Sequence, residues 1–151
     1  MPSRVLLIDD DDIAREFLAS LLKEAGHEVY ELPSPIGATR TILSEGIAVV
    51  VLDIFMPQMD GDKSAKMLRE NPRLDGIGIV LVSSCPASQM EEIAARVKAD
   101  AIVPKEEARM KLVPTVNRLA RSFQQSTSQS MSTSESDRPP RREPRKQRGE
   151  P

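Results

Sequence analysis

The chain has 151 residues, 21 Lys and Arg against 23 Asp and Glu, a formal net charge of -2 and one cysteine, Cys85. The length suits about one domain, the charge argues against a general nucleic-acid binder, and a single cysteine excludes an intrachain disulfide. No apolar run approaches the roughly 20 residues that cross a membrane, and the start Met1-Pro2-Ser3-Arg4 is no signal peptide, so a cytoplasmic setting is expected.

From about Ser122 the composition turns to Ser, Thr, Gln, Pro and Arg. The last thirty residues hold six basic and four acidic side chains and are +2, which leaves the first 121 at -4. Residues 1–123 are read as one domain and 124–151 as a disordered Ser/Pro/Arg-rich tail, too poor in apolar surface to offset its ordering entropy.

In chain order, Val5-Leu6-Leu7-Ile8 is a short apolar run that stops at Asp9-Asp10-Asp11-Asp12. It reads as a buried strand. Ala14 to Ala25 then has apolar residues at helical spacing, with Gly26 at the position after the helix. Glu28 to Leu32 alternates as a second strand, and Pro35 to Glu45 is a weaker helix closed by Gly46. Ile47 to Asp53 is a third strand, β-branched and aliphatic until it ends in a carboxylate. Pro57 and Gly61 break the pattern, so Asp53 falls at the mouth of a loop. Gly61 to Asn71 is a helix ended by Asn71-Pro72. Ile77 to Val82 is a fourth strand that stops at Ser83. Gln89 to Lys98 is a helix, Ala101 to Val103 a fifth strand ending at Pro104-Lys105, and Met110 to Phe123 a last helix. Pro114 suits only the first turn of that helix.

Five strands alternating with five helices predict an α/β fold, a doubly wound five-stranded parallel sheet of flavodoxin-like (βα)5 type. Strands one and three would be neighbours in that order. Asp9, Asp10 and Asp53 then meet at the carboxyl rim, where open α/β sheets bind ligands, and Ser83 and Lys105 arrive from adjacent strand ends. Three carboxylates in contact repel one another and favour a hard divalent cation such as Mg²⁺. An ammonium and a hydroxyl beside them suit phosphoryl oxygens. The chemistry suggested is in-line attack by Asp53 on phosphorus, with the metal and Lys105 neutralising charge. Each feature also has a plainer reading: an Asp run can cap a helix, a lysine can be a solvated charge, a serine can sit in a turn. His27, after a helix and away from the rim, reads as a surface residue, and Cys85 as a half-buried small one.

Ile8-Asp9-Asp10, Asp53-x-x-Met56-Pro57-x-Met59-Asp60-Gly61, Val82-Ser83, Ala99-Asp100 and Lys105 resemble the motif set of response-regulator receiver domains, and Arg15 fits it too. The resemblance covers about residues 3 to 123. It implies that Asp53 is the phosphoacceptor, served by a partner histidine kinase or phosphotransfer protein. It also implies that Asp9, Asp10, Asp53 and the Phe55 backbone carbonyl hold Mg²⁺, that Ser83 moves to the phosphoryl group, and that Lys105 pairs with it. Such a domain is not a conventional enzyme; it only takes up and loses its own phosphoryl group.

The sequence departs from the family pattern twice. Glu106 stands where proline usually follows the lysine, so the Lys105–Glu106 bond is expected to be trans, because a cis bond before a non-proline residue costs about 2.5–4 kcal/mol. Ile102 stands where the family often has an aromatic residue. No output pattern follows Phe123, so a stand-alone regulator is expected, signalling to an unknown downstream protein through its fourth helix, fifth strand and fifth helix. No membrane contact is expected, and nucleic acid only weakly through the basic tail. The alternatives are a pseudo-receiver that is not phosphorylated and a phosphatase of the haloacid dehalogenase type. The second needs an Asp two residues after the nucleophile, where this chain has Phe55.

Overall fold

The computed structural model of the chain describes residues 2–56 and 59–136, apart from the side chains at 55–62, 64 and 124–136. Five parallel strands, numbered among themselves, make one sheet: β1 (Arg4–Ile8), β2 (Glu28–Leu32), β3 (Val49–Asp53), β4 (Gly78–Ser83) and β5 (Ala101–Pro104). Their order across the sheet is β2-β1-β3-β4-β5. The chain therefore winds outward in both directions from β1 and β3, as the sequence predicts, and the point of reversal falls between the two strands that carry carboxylates at their ends. The register pairs Val5 with Val49 and Ile8 with Leu52, so Asp9 and Asp53, one residue further along each strand, emerge side by side.

The central strands are apolar on both faces because both faces are covered. Every residue of β3 and β4 is buried. Side chains alternate between two layers. Leu6, Ile8, Val50, Leu52, Ile79 and Leu81 face one side, under helices α2 (Ala38–Glu45), α3 (Gly61–Glu70) and α4 (Ala87–Val97). Val5, Leu7, Val49, Val51, Val80 and Val82 face the other, under α1 (Asp12–Glu24) and α5 (Ala108–Ser136). Each such side chain contributes about 1.5–3 kcal/mol by burial, and one layer alone would leave half of them in water.

The local devices explain where elements begin and end. Asp11 caps α1, its carboxylate accepting from the Ile13 and Ala14 N–H groups. Part of the Asp run therefore is a helix cap. Gly26, with φ of 93°, takes the left-handed step that turns α1 toward β2. The helix predicted from Pro35 starts instead at Ala38, because Gly37, with φ of 84°, is its N-cap. Three short features are not expected from the sequence, one of them a 3-10 turn at Pro72–Leu74. A two-residue ribbon pairs Phe55-Met56 with Met59-Asp60, and a 3-10 turn spans Lys105–Glu107. No cis peptide bond occurs among the described residues, so Lys105–Glu106 is trans as expected.

The last helix differs most from expectation. It starts at Ala108 and its backbone remains helical to Ser136, thirteen residues past the predicted end at Phe123. No Gly or Pro lies between 124 and 136 to stop it. Pro114 consequently sits at the seventh position, not in the first turn. Proline removes the N–H that would bond the Met110 carbonyl. Pro114 and Met110 are both exposed, so water can take that carbonyl, while Ala108, Leu112, Val116 and Ala120 stay buried on the inner face. The rest of the expected tail, 137–151, and Pro57 and Gln58 of the motif lie outside the described residues.

Candidate functional site at the carboxyl rim

Asp9 directly follows β1 and Asp53 is the last residue of β3; both are buried, with Asp9 wholly inaccessible. Burying charge is costly unless it is paired. The counter-charge is Lys105, which directly follows β5 and reaches across the end of β4. Its Nζ donates to Asp53 Oδ2 at 3.0 Å and lies 3.1 Å from Asp9 Oδ2. Burial pulls the Lys105 pKa down, but the hydrogen bond and charge of Asp53, with a lesser contribution from Asp9, overcome this, and the net shift is upward. Lys105 stays an ammonium throughout the neutral range.

The rest of the rim fixes Asp9. Its Oδ1 accepts from the Asp11 N–H at 2.9 Å, and its carbonyl accepts from Arg15 Nη1 at 2.6 Å. Arg15 also pairs with Asp12 at 2.6 Å and lies 3.6 Å from Glu31. Arg15 thus ties the first turn of α1 to the strand end. The sequence offered only its distance from Asp9; the partner Glu31 comes from a different strand and leaves no local signal.

Asp10 is exposed, and one carboxylate oxygen from each of Asp9, Asp10 and Asp53 lies within 4.8 Å of the others. That donor set, oxygen only and three-fold anionic, fits a hard divalent cation. A second observation agrees: Asp9 Oδ2 is buried and, although close to Nζ, has no aligned hydrogen bond. A cation beside it would complete its coordination.

Ser83 is buried at the end of β4, where its hydroxyl accepts from the Cys85 N–H at 3.1 Å. The structure brings it to the rim but engages it with its own turn. Cys85 is buried, not half-buried. Phe55 lies in the ribbon immediately after the Asp53-Ile54 step. His27 is also corrected. It is buried at the opposite end of the sheet, where the Ser3 N–H donates to Nδ1 at 3.1 Å and Nε2 contacts Asn117 Oδ1 at 2.6 Å. Asp100 of the motif set holds the start of β4, accepting from the Ile79 N–H at 2.8 Å and from Arg69 at 2.6 Å.

This geometry meets the known proteins as follows. A sequence profile described as the response regulator receiver domain matches residues 5–117. The gliding motility regulatory protein of Myxococcus xanthus is 31% identical over 104 residues, 69% of this chain and 13% of that protein. The transcriptional regulatory protein GltR of Pseudomonas aeruginosa is 25% identical over 120 residues, 80% of this chain and 50% of that one. The chain thus spans half or less of these relatives. A crystal structure of a response regulator from Chloroflexus aurantiacus superimposes with a TM-score of 0.74 at 24% identity, covering 80% of this chain and 99% of the other, a likeness of fold. No helix of the described residues is long and apolar enough to cross a membrane. With three quarters of its length matched and the acid cluster and lysine gathered at one rim of the sheet, this chain belongs to the response regulator receiver domains, the phosphoacceptor signalling domains of two-component systems, which are not conventional enzymes and are served by histidine kinases.

Proposed function

We propose that Asp53 is the phosphoacceptor of a regulator that takes its phosphoryl group from the phosphohistidine of a kinase or phosphotransfer protein and depends on Mg²⁺. The observation that carries the reading is the Lys105 ammonium placed between Asp53 at 3.0 Å and Asp9 at 3.1 Å, a cation held between two carboxylates of an anion-rich rim. An Asp53 oxygen attacks phosphorus in line, the P–N bond breaks, and its electron pair leaves on the imidazole nitrogen. Asp9, Asp10, Asp53 and the Phe55 carbonyl would hold the Mg²⁺, which would supply positive charge to the phosphoryl oxygens. Lys105 supplies a further positive charge at the same rim.

Ser83 accepts a hydrogen bond through its oxygen lone pair, so its own O–H remains to donate to a phosphoryl oxygen. Turning toward that oxygen pulls the turn after β4. Lys105, drawn to the same group, pulls the start of α5. These movements point to α4, β5 and α5 as the output surface toward a downstream protein. Ile102 in β5 cannot swing as an aromatic ring would, so the backbone after Ser83 carries the change. The segment beyond Phe123 is assigned no part in the site, and residues 124–151 are read as a tail outside the packed domain.

The test uses phosphoramidate, a small P–N donor, with Mg²⁺, followed by intact mass measurement. The reading predicts a gain of one phosphoryl group, absent with a chelator and absent in Asp53→Asn. No gain in the unaltered chain would make it a pseudo-receiver. A gain retained in Asp53→Asn would move the acceptor elsewhere.

A further inference from the structure

Large apolar side chains lie exposed on two separate surfaces. Ile13, Phe17 and Met110 belong to α1 and α5 beside the acidic rim. Ile36, Leu43 and Met67 belong to the opposite face, on α2, the loop before it and α3, and are 74%, 38% and 52% exposed. The second group lines a groove of about 830 Å³ between α2 and α3. Its rim holds two arginines, Arg40 and Arg73, and no acidic side chain among the described residues lines it. Neither guanidinium has a hydrogen bond or an ion pair among the described residues, whereas Arg4, Arg15 and Arg69 are all engaged.

We propose that this groove docks an acidic amphipathic helix of a partner protein. Apolar side chains open to water in one groove mark an interaction surface, and the volume accommodates the anchors that a helix presents at every third or fourth position. The walls are α2 with the loop before it and α3 with the 3-10 turn Pro72–Leu74 after it, so no strand edge lines the groove to invite a strand. The two free guanidiniums set the sign of the partner, since planar bidentate pairing with carboxylates is what they do best. This chain's own basic tail carries the wrong charge; its Arg138–Arg148 stretch would be repelled by Arg40 and Arg73. The groove shares no residue with the acid cluster or with α4, β5 and α5, so a docked partner leaves both phosphoryl uptake and output free. Docking here localises the regulator without reading its phosphorylation.

The probes are two synthetic helical peptides of 16 residues or so with leucines at positions i, i+3, i+4 and i+7. One carries glutamates on its other positions, the second lysines. Binding to the full chain is followed by fluorescence anisotropy and by backbone amide shifts. The acidic peptide should bind at least ten-fold more tightly, with shifts concentrated in 36–44 and 67–73. The pair Arg40→Glu and Arg73→Glu should reverse the preference, and Leu43→Glu with Met67→Glu should abolish binding. All four side chains are exposed, and an unchanged thermal unfolding transition will report an intact fold. Equal affinity for the two peptides, or shifts lying elsewhere, would overturn the proposal. So would a self-associating chain made monomeric by Leu43→Glu, because the occupant would then be a second copy. Failure of phosphorylation in the unaltered chain would count against the Asp53 reading and leave these results as they stand.

Discussion

At the carboxyl rim of the sheet, Asp9, Asp53 and Ser83 are buried around Lys105; at the amino rim, Ser3 and His27 are buried beside Asn117. The amino rim is a hydrogen-bonded network around His27, in which the buried Ser3 hydroxyl is left without a partner among the described residues. The Ser3 N–H can only donate, so Nδ1 of His27 accepts and Nε2 carries the proton toward Asn117. The carboxyl rim is arranged differently. Three carboxylates gather there, two of them, Asp9 and Asp53, paired with one partly buried ammonium, and one buried carboxylate oxygen has no aligned donor. One sheet thus contains two kinds of buried polarity: a hydrogen-bonded histidine beside one unpaired hydroxyl at one end, and charge held in excess at the other. The excess is what a cation and a phosphoryl group can answer.

The comparison breaks first at Lys105. Lys105→Met leaves Asp9 and Asp53 facing each other without their cation. The metal-free chain should lose about 2 kcal/mol, below the 3–5 kcal/mol of a fully buried broken pair because Lys105 is partly exposed. Mg²⁺ should restore more stability to the variant than it adds to the unaltered chain. The pH dependence has a definite sign. The folded Lys105 pKa is raised, so its pairing contributes fully below the ordinary lysine value of about 10.4 and is lost as pH rises through the raised value. Denaturant titrations at alkaline pH should show that loss in the unaltered chain and not in Lys105→Met.

The amino rim sharpens the contrast. His27→Ala strands the buried Ser3 N–H, while the exposed Asn117 can turn to water, and should cost about 1–3 kcal/mol, the usual cost of a buried group left unsatisfied. Calorimetry should show that the stabilisation by Mg²⁺ is unchanged, since His27 lies at the far end of the sheet. An equal loss of Mg²⁺ response would mean that the rims are coupled.

The smallest effect is expected at Asp10. It is exposed, so Asp10→Ala should shift metal-free stability by less than about 0.5 kcal/mol, in the stabilising direction because one repulsive charge is gone. The stabilisation by added Mg²⁺, which follows ligand binding to the native state, should fall in the same variant. Unchanged Mg²⁺ affinity would remove Asp10 from the site.

Most of the carboxyl rim is legible in the sequence because each strand is an apolar run cut short by a polar residue. Asp9, Asp53, Ser83 and Lys105 all mark such stops, and the parallel order then makes them neighbours. The amino rim is not legible. His27 after Gly26 looks like loop chemistry, and its partner Asn117 lies ninety positions away on α5. The ribbon at Phe55–Met56 and Met59–Asp60 is too short to show a period, and Pro57 between them reads as a break. The span of α5 escaped for a related reason: polar residues after Phe123 carry no apolar stripe, so periodicity ends before the helical backbone does. Pro114 misplaced the other end of that helix. The usual cost of proline applies to a buried helix interior, whereas Pro114 faces water. Arg40 and Arg73 lie on different elements, and only the fold brings them to one groove.

The central claim is that the excess charge at the carboxyl rim serves covalent chemistry at Asp53. Borohydride reduces an acyl phosphate to an alcohol, so a phosphorylated aspartate becomes homoserine and an unmodified carboxylate does not react. Treating the phosphoramidate-labelled chain with borohydride, followed by peptide sequencing, should find homoserine at position 53 and aspartate at positions 9 and 10. Homoserine at position 9 or 10, or aspartate at all three in a chain that has gained the phosphoryl mass, would contradict the account.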